Sequence, residues 1–299
     1  MAAGIAGETG SPGAAEDASG VVECARAGEP DRYLAALLSP PPQRDALLAL
    51  AAFSAELARI PLRVVREPVM GQLRLEWWRA ALADVSEREG ESAGHAVADA
   101  MRVAIRDFQL PAALLDNLID VHAPLLSDRP FLNEAALDDF LRQAEGGLFA
   151  LSAGVMGAET DGDDVGAASA AAGRAYGGVR LLQSLPRSLS LGRIPVLASE
   201  LAAAGLSEHE LLAGTAASDK AAVLLQARFA QIRGNLAEAR RLVRRLPRAT
   251  RLAFLPLALV EPYVRVLERQ GGGALRAEAQ VLPFARVWRI TTAHLLGRL

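Results

Sequence analysis

The sequence predicts an all-α fold, and three observations carry that prediction. Ala occurs 60 times and Leu 47 times in 299 residues, and both are strong helix formers. Thr occurs six times, Ile seven and Tyr three, so the β-branched and aromatic residues that strands draw on are scarce. Apolar residues recur at three- and four-residue intervals between clusters of Gly, Pro and Asp, and no stretch reads as a strand of useful length. A hydrophobic share of 51% gives the chain ample apolar surface to bury, which excludes a disordered protein.

In chain order, residues 1–28 read as a flexible tail of small and acidic residues, followed by a single domain over 29–299. A short helix over 33–38 stops at the prolines of 40–42. The next begins near Gln43 and presents Leu47, Leu50, Phe53 and Leu57 on one face until Pro61 ends or kinks it. A helix over 68–86 turns Leu73, Trp77 and Leu82 inward, and an acidic loop over 87–91 follows. Trp77 and Trp78 are adjacent, so one of them faces the core and the other a groove or the surface. Further helices are expected at 93–107, 111–126, 133–156 and 164–184. Pro111, Pro124, the SDRP turn at 127–130 and the DGDD turn at 161–164 separate them. In that last turn Asp161, Asp163 and Asp164 suit the start of the following helix, where carboxylates oppose the dipole favourably. Pro186, Gly192, Pro195, Gly205 and Gly214 make 185–215 a region of short helices and turns. Helices over 216–245 and 250–269, the second closed by Gly271–Gly273, and an amphipathic helix over 284–297 complete the chain.

Charge and composition remove several function classes. There are 32 basic and 35 acidic residues, a net charge of -3, so the basic excess of a nucleic-acid binder is missing. Every basic residue except Lys220 is Arg, which reads as a compositional bias. One cysteine, Cys24, can build neither a disulfide framework nor a thiolate metal centre, and the four histidines lack metal-ligand spacing. Residues 1–20 do not resemble a signal peptide. The apolar run 252–260 contains Pro256 and is far shorter than the roughly 20 residues of a bilayer span. The location expected is cytoplasmic, with a peripheral position at the inner face of the membrane as a variant.

The search for catalytic motifs is largely empty. No nucleophile elbow and no Gly-rich phosphate cradle occurs. Asp116 and Asp120, four apart in LLDNLID, share one helix face, and the reading that fits them best is a solvated carboxylate stripe. Arg240, Arg241, Arg244, Arg245 and Arg248 form a basic stripe at a helix end. It favours the helix dipole, with an anionic membrane surface or an acidic partner as the sharper alternative.

Five stretches together resemble the squalene/phytoene synthase family: YLAALLSPPPQRDALLALAAFSAELARI (33–60), LRLEWWRAAL (73–82), FLRQAEGGLFALSAGVMG (140–157), GRAYGGVRLLQSLPRSLSLGRIPVLASELAAAGLSEHEL (173–211) and LVRRLPRATRLAFLPLALVEPYVRVLER (242–269). The resemblance covers about 31–270. It implies a single-domain isoprenoid synthase-type helical bundle around a central cavity. In active members Asp-rich motifs hold Mg²⁺ ions against a diphosphate. Here the first motif falls on Ala58, Arg59, Ile60, Pro61 and Leu62, and the second on Ser184, Leu185, Pro186, Arg187 and Ser188. Neutral hydroxyls are poor anchors for Mg²⁺. The resemblance therefore implies a protein without the head-to-head condensation chemistry and without a cofactor. The string around 52–82 is similar to a branch of the family that includes a mitochondrial complex I assembly factor.

The functions that follow are an assembly-type factor working with membrane-complex partners, or a binder of a prenyl lipid or diphosphate. The alternative is an isoprenoid-diphosphate transferase with altered ligands, for which Mg²⁺ would be needed. The resemblance places Tyr33, Arg44, Trp77, Tyr176, Arg180, Gln183, Ser184, Ser188 and Arg193 as candidate cavity or ligand-binding residues. No residue is assigned a catalytic or metal-ligating role.

Overall fold

The computed structural model describes residues 12–64, 67–83, 85, 92–160 and 162–299, with side chains from residue 17 onward. Its helices are α1 (Pro12–Gly28), α2 (Pro30–Ala36), α3 (Pro41–Arg63), α4 (Pro68–Leu82), α5 (Ala96–Phe108), α6 (Ala112–Asp120), α7 (Glu134–Val155), α8 (Asp163–Ser190), α9 (Ala198–Ala204), α10 (Glu208–Leu212), α11 (Ser218–Val243), α12 (Val260–Gln270) and α13 (Pro283–Leu296). Short 3-10 segments lie at Ala123–Leu126, Thr250–Leu259 and Gly271–Leu275, and no strand occurs among the described residues. The expected all-α class is the one observed.

Local chemistry sets most of the boundaries. Pro occupies the first turn of α2, α3, α4 and α13, where its missing N–H has no intrahelical partner to lose. The Asn133 side chain accepts from the Ala136 N–H at 2.8 Å and starts α7. Ser207 and Glu210 form a reciprocal cap at the start of α10. Asp163 and Asp164 lie in the first turn of α8 as expected, while Asp161 and the 87–91 loop fall outside the described residues.

The antiparallel pair α7 and α8 forms the axis. Its close approach is made by glycines: a Cβ on Gly173 would stand 2.5 Å from the Gly146 nitrogen and 2.6 Å from the Leu141 carbonyl oxygen. On one side α11 runs antiparallel to α8, with Ile232 against Gly178. On the other, α3 packs on α7 and carries α1, α2, α4 and α5 with it. Leu47, Leu50, Phe53 and Leu57 are all buried, as their spacing predicts.

Three expectations are corrected. Residues 12–28 form α1 and are no free tail. Val21, Cys24, Ala25 and Gly28 make a stripe of modest side chains, and Gly28 lies close enough to Ala55 that a Cβ would meet it at 2.3 Å. Small residues that bury little area individually give a weak hydrophobic signal, yet they allow two helices to touch. In α4, Leu73 and Trp77 are 57% and 42% exposed, while Leu75 and Trp78 are buried. LRLEWW offers two overlapping apolar stripes. Contact of Gly71 with Leu126, and of Trp78 with Phe53 at 5.0 Å between ring centroids, selects the second. Finally, α8 continues through Pro186 to Ser190. The bond lost there is outweighed by burial of Leu185 and Leu189 in a separate cluster with Ile194, Leu201 and Leu224.

The α7–α8 contact is directly testable. Gly173→Ala places a methyl group against backbone and is expected to cost about 3 kcal/mol. Gly147→Ala, with nothing within 4 Å of its Cβ, should stabilise by about 0.5 kcal/mol through helix propensity. Urea-unfolding midpoints of the two variants should move in opposite directions.

Candidate functional site

Where α2, α7, α8, α12 and α13 converge, the interior is polar. Asp31, in the first turn of α2, is buried and accepts hydrogen bonds from the Tyr176 and Tyr263 hydroxyls, each at 3.0 Å. Arg286 of α13 pairs with the same carboxylate at 3.1 Å. Glu29, in the link between α1 and α2, is 1% exposed; it pairs with Arg180 at 2.7 Å and accepts from the Ser54 hydroxyl at 3.2 Å. Glu145 of α7 binds Arg32 at 2.6 Å and Arg180 at 3.2 Å. Gly177 leaves the space that the Glu145 side chain fills, since a Cβ there would meet its Cγ at 3.0 Å. The Arg32 guanidinium also lies over the Phe149 ring, 4.6 Å from its centroid, and Phe149 stacks on Phe254.

Three carboxylates and three guanidiniums therefore form one neutral network. Burial pushes the Asp31 carboxyl up, and Arg286 and the two tyrosine donors oppose that push. Burial also acts on Glu145, but Arg180 and Arg32 outweigh it and hold this carboxyl below its ordinary range. Burial, with Asp31 beside them, raises both tyrosines, so their hydroxyls remain donors at neutral pH. The gap beside Arg32, lined by Leu47, Leu50, Leu148, Ser152 and Pro256, has a volume of about 20 Å³. A site for a drug-sized ligand is about 300 Å³ or more.

Two of the expected site residues, Tyr176 and Arg180, belong to this network. The others stand apart, each with a partner or packing of its own. Tyr33 packs, partly buried, on the main core. Arg44 donates to the Ser39 carbonyl at 3.1 Å and closes the turn after α2. Trp77 lies on a cleft of about 220 Å³ with Arg59, Arg63, Arg74 and His95, on the outer side of α3 and α4. Gln183 donates to the Ala279 carbonyl, and Ser184 to the Leu181 carbonyl of its own helix. The Ser188 carbonyl accepts from the Leu191 and Arg193 N–H groups. Arg193 is buried and donates to the Pro61 carbonyl at 2.6 Å, tying the end of α8 to the end of α3. Asp116 and Asp120 face solvent and pair with Arg79 across α4 and α6.

The Mg²⁺ ions that the resemblance implies do not fit these residues. Ala58, Arg59, Leu62, Ser184 and Ser188 supply no carboxylate. Glu29, Asp31 and Glu145, which do converge, already accept from guanidiniums and hydroxyls. Among the described residues no group of three or more His, Cys, Asp or Glu is placed to hold a metal ion.

The sequence model described as "Squalene/phytoene synthase" matches residues 25–286. The chain belongs to the squalene/phytoene synthase family. It is similar to the squalene synthase HpnC of Alicyclobacillus acidocaldarius, with a TM-score of 0.72 and 19% identity over 88% of this chain and 97% of that one. A dehydrosqualene synthase solved with a ligand gives a TM-score of 0.78 at 14% identity, over 95% and 98%. These likenesses establish the isoprenoid synthase-type helical fold. By sequence the chain is 26% identical over 251 residues to the Bos taurus protein named NADH dehydrogenase (ubiquinone) complex I, assembly factor 6, covering 83% of this chain and 73% of that protein. The Homo sapiens protein of the same name is 24% identical over the same length.

Sequence reasoning missed Glu29, Asp31, Arg32, Glu145, Tyr263 and Arg286. One signal was available: Glu145 sits in AEGG, a charge on an apolar helix face beside residues that permit close packing.

The network makes two predictions. Asp31→Asn leaves Arg286 without a counter-charge in the interior and should cost about 3 kcal/mol, against about 1 kcal/mol for Tyr263→Phe, both read from denaturant unfolding. The second concerns His122, which is buried beneath α7, with Nδ1 donating to the Leu118 carbonyl at 2.8 Å. Burial holds its pKa below the ordinary 6.5, so the folded ring stays neutral while the unfolded chain takes up a proton. Stability should drain as pH falls below that value, by up to about 1.4 kcal/mol per pH unit for this one group. The stability difference between the parent protein and His122→Gln, followed by urea unfolding across pH, should show that slope.

Proposed function

We propose that this protein performs no prenyl-diphosphate chemistry and serves in the assembly of a membrane-bound NADH dehydrogenase. The observation that carries the reading is the neutral network of Glu29, Asp31, Arg32, Glu145, Arg180 and Arg286. Ionising an allylic diphosphate requires positive charge free to meet the leaving group, as metal ions or unpaired guanidiniums. Each guanidinium of this network is already matched by a carboxylate. The residues at 58–62 and 184–188 support the same reading, since hydroxyl, aliphatic and basic groups stand where the family resemblance calls for acids. Similarity to complex I assembly factors, extending over 83% of the chain, supports the assembly role. A domain with a filled interior has its outer surface to offer.

Incubation with labelled farnesyl or geranylgeranyl diphosphate and Mg²⁺ or Mn²⁺ should release no more pyrophosphate than buffer does. Deleting the gene in the source organism should lower the amount of assembled NADH dehydrogenase seen by in-gel activity. Metal-dependent pyrophosphate release that Arg180→Ala removes would overturn the non-catalytic reading. Unchanged assembly in the deletion strain would overturn the assembly role.

A further inference from the structure

The outer face of α13 and the end of α11 form a surface that the proposed function does not use. Along α13, Phe284, Trp288 and Leu295 recur at helical spacing and lie 79%, 63% and 70% exposed. The opposite side of the helix, Ile290 and Ala293, meets the core. The ridge ends at a pocket of about 560 Å³, to which Leu295, Leu296 and His294 contribute one wall and Arg240, Arg244 and Arg248 the other. Arg251 closes the end of α11 by donating to the Leu246 and Arg244 carbonyls.

Basic side chains dominate here, with Glu261 of α12 the carboxylate that acts on Arg240. No acidic residue occurs in 239–260 or 279–299, although the whole chain has a net charge of -3. None of Arg240, Arg244, Arg248 or Arg298 pairs with a carboxylate among the described residues. The Arg240 Nε and His294 Nδ1 atoms are buried without a hydrogen-bond partner. Packed guanidiniums repel one another, and an anion among them relieves the repulsion. An apolar ridge with a Trp at its middle, flanked by unpaired arginines, has the chemistry of a surface that enters the headgroup layer of an anionic bilayer. No helix among the described residues is long and apolar enough to cross a membrane, so the contact is peripheral.

We infer that the α13 ridge docks on an anionic phospholipid bilayer and that the arginine pocket receives lipid phosphate. This inference is independent of whether the interior is catalytic. It is tested with the full chain by flotation with vesicles of phosphatidylcholine alone, and with phosphatidylglycerol added. The protein should float only with the anionic vesicles, and added salt should weaken the binding. Arg244→Gln/Arg248→Gln should reduce affinity about 30-fold. Trp288→Ser should reduce it about tenfold or more and abolish the blue shift of tryptophan fluorescence on binding. These side chains are exposed, and circular dichroism checks that each variant is folded. Equal binding to neutral vesicles, no binding at low salt, or binding unaffected by either variant would overturn the inference. Two further outcomes would also overturn it if vesicle binding is absent. One is thermal stabilisation by inorganic phosphate, which would give the pocket to a soluble anion. The other is a dimer that Trp288→Ser dissolves, which would give the ridge to a second copy of the chain.

Discussion

Asp31 and Glu29 sit a few residues beyond the first helix, deep in the molecule, and the surrounding helices are arranged so that neither is left alone. A carboxylate removed from water is costly unless charge and hydrogen bonds replace its hydration. Tyr176 and Arg180 of α8, Tyr263 of α12 and Arg286 of α13 supply the replacement, and Glu145 of α7 pairs with Arg32 and Arg180 beside them. Their demands are geometric. A one-residue slip of α7 against α8 would separate Glu145 from Arg180, and a rotation of α13 would withdraw Arg286. Hydrophobic burial supplies the driving force for folding, whereas this network restricts which packing of similar apolar faces is acceptable.

The same arrangement accounts for the site's chemistry. A bundle of this fold can enclose a ligand only if its middle is left open. Here Arg32 lies over Phe149, Phe149 stacks on Phe254, and Glu145 fills the room left by Gly177. The outer surface retains the larger spaces, at Trp77 and at the end of α13. Around Glu29, Asp31 and Glu145 ion pairing consumes the charges, while arginines without a carboxylate partner remain on the α13 face.

Much of the fold was legible because helix periodicity is a local property. Leu47, Leu50, Phe53 and Leu57 reveal α3 without knowledge of any other element, and the family resemblance singled out Tyr176 and Arg180. The misses share one physical origin. Whether a charged residue is buried depends on partners far along the chain, and apolar spacing has no way to report them. Asp31 and Arg286 therefore passed as ordinary charged residues, the second inside the amphipathic helix expected over 284–297. The α4 stripe failed for a related reason: Leu73/Trp77 and Leu75/Trp78 are equally periodic, and only contacts with Phe53 and Leu126 separate them. In α1 the stripe of Val, Cys, Ala and Gly was too slight to stand out from the small residues around it.

The separation in sequence between Asp31 and its partners bears on how the protein is made. The hydroxyls that hold this carboxylate come from residues 145 and 232 positions later in the chain, and Arg286 lies further on still. Because translation delivers residues in order, Asp31 and Glu29 emerge well before the groups that neutralise them. Loop closure over such distances must precede any reward from the contacts. The amino-terminal helices therefore collapse around carboxylates still seeking water, and the interior becomes complete only when α13 arrives. A chain lacking α13 would keep Asp31 short of its counter-charge, so consolidation of the interior waits for that helix.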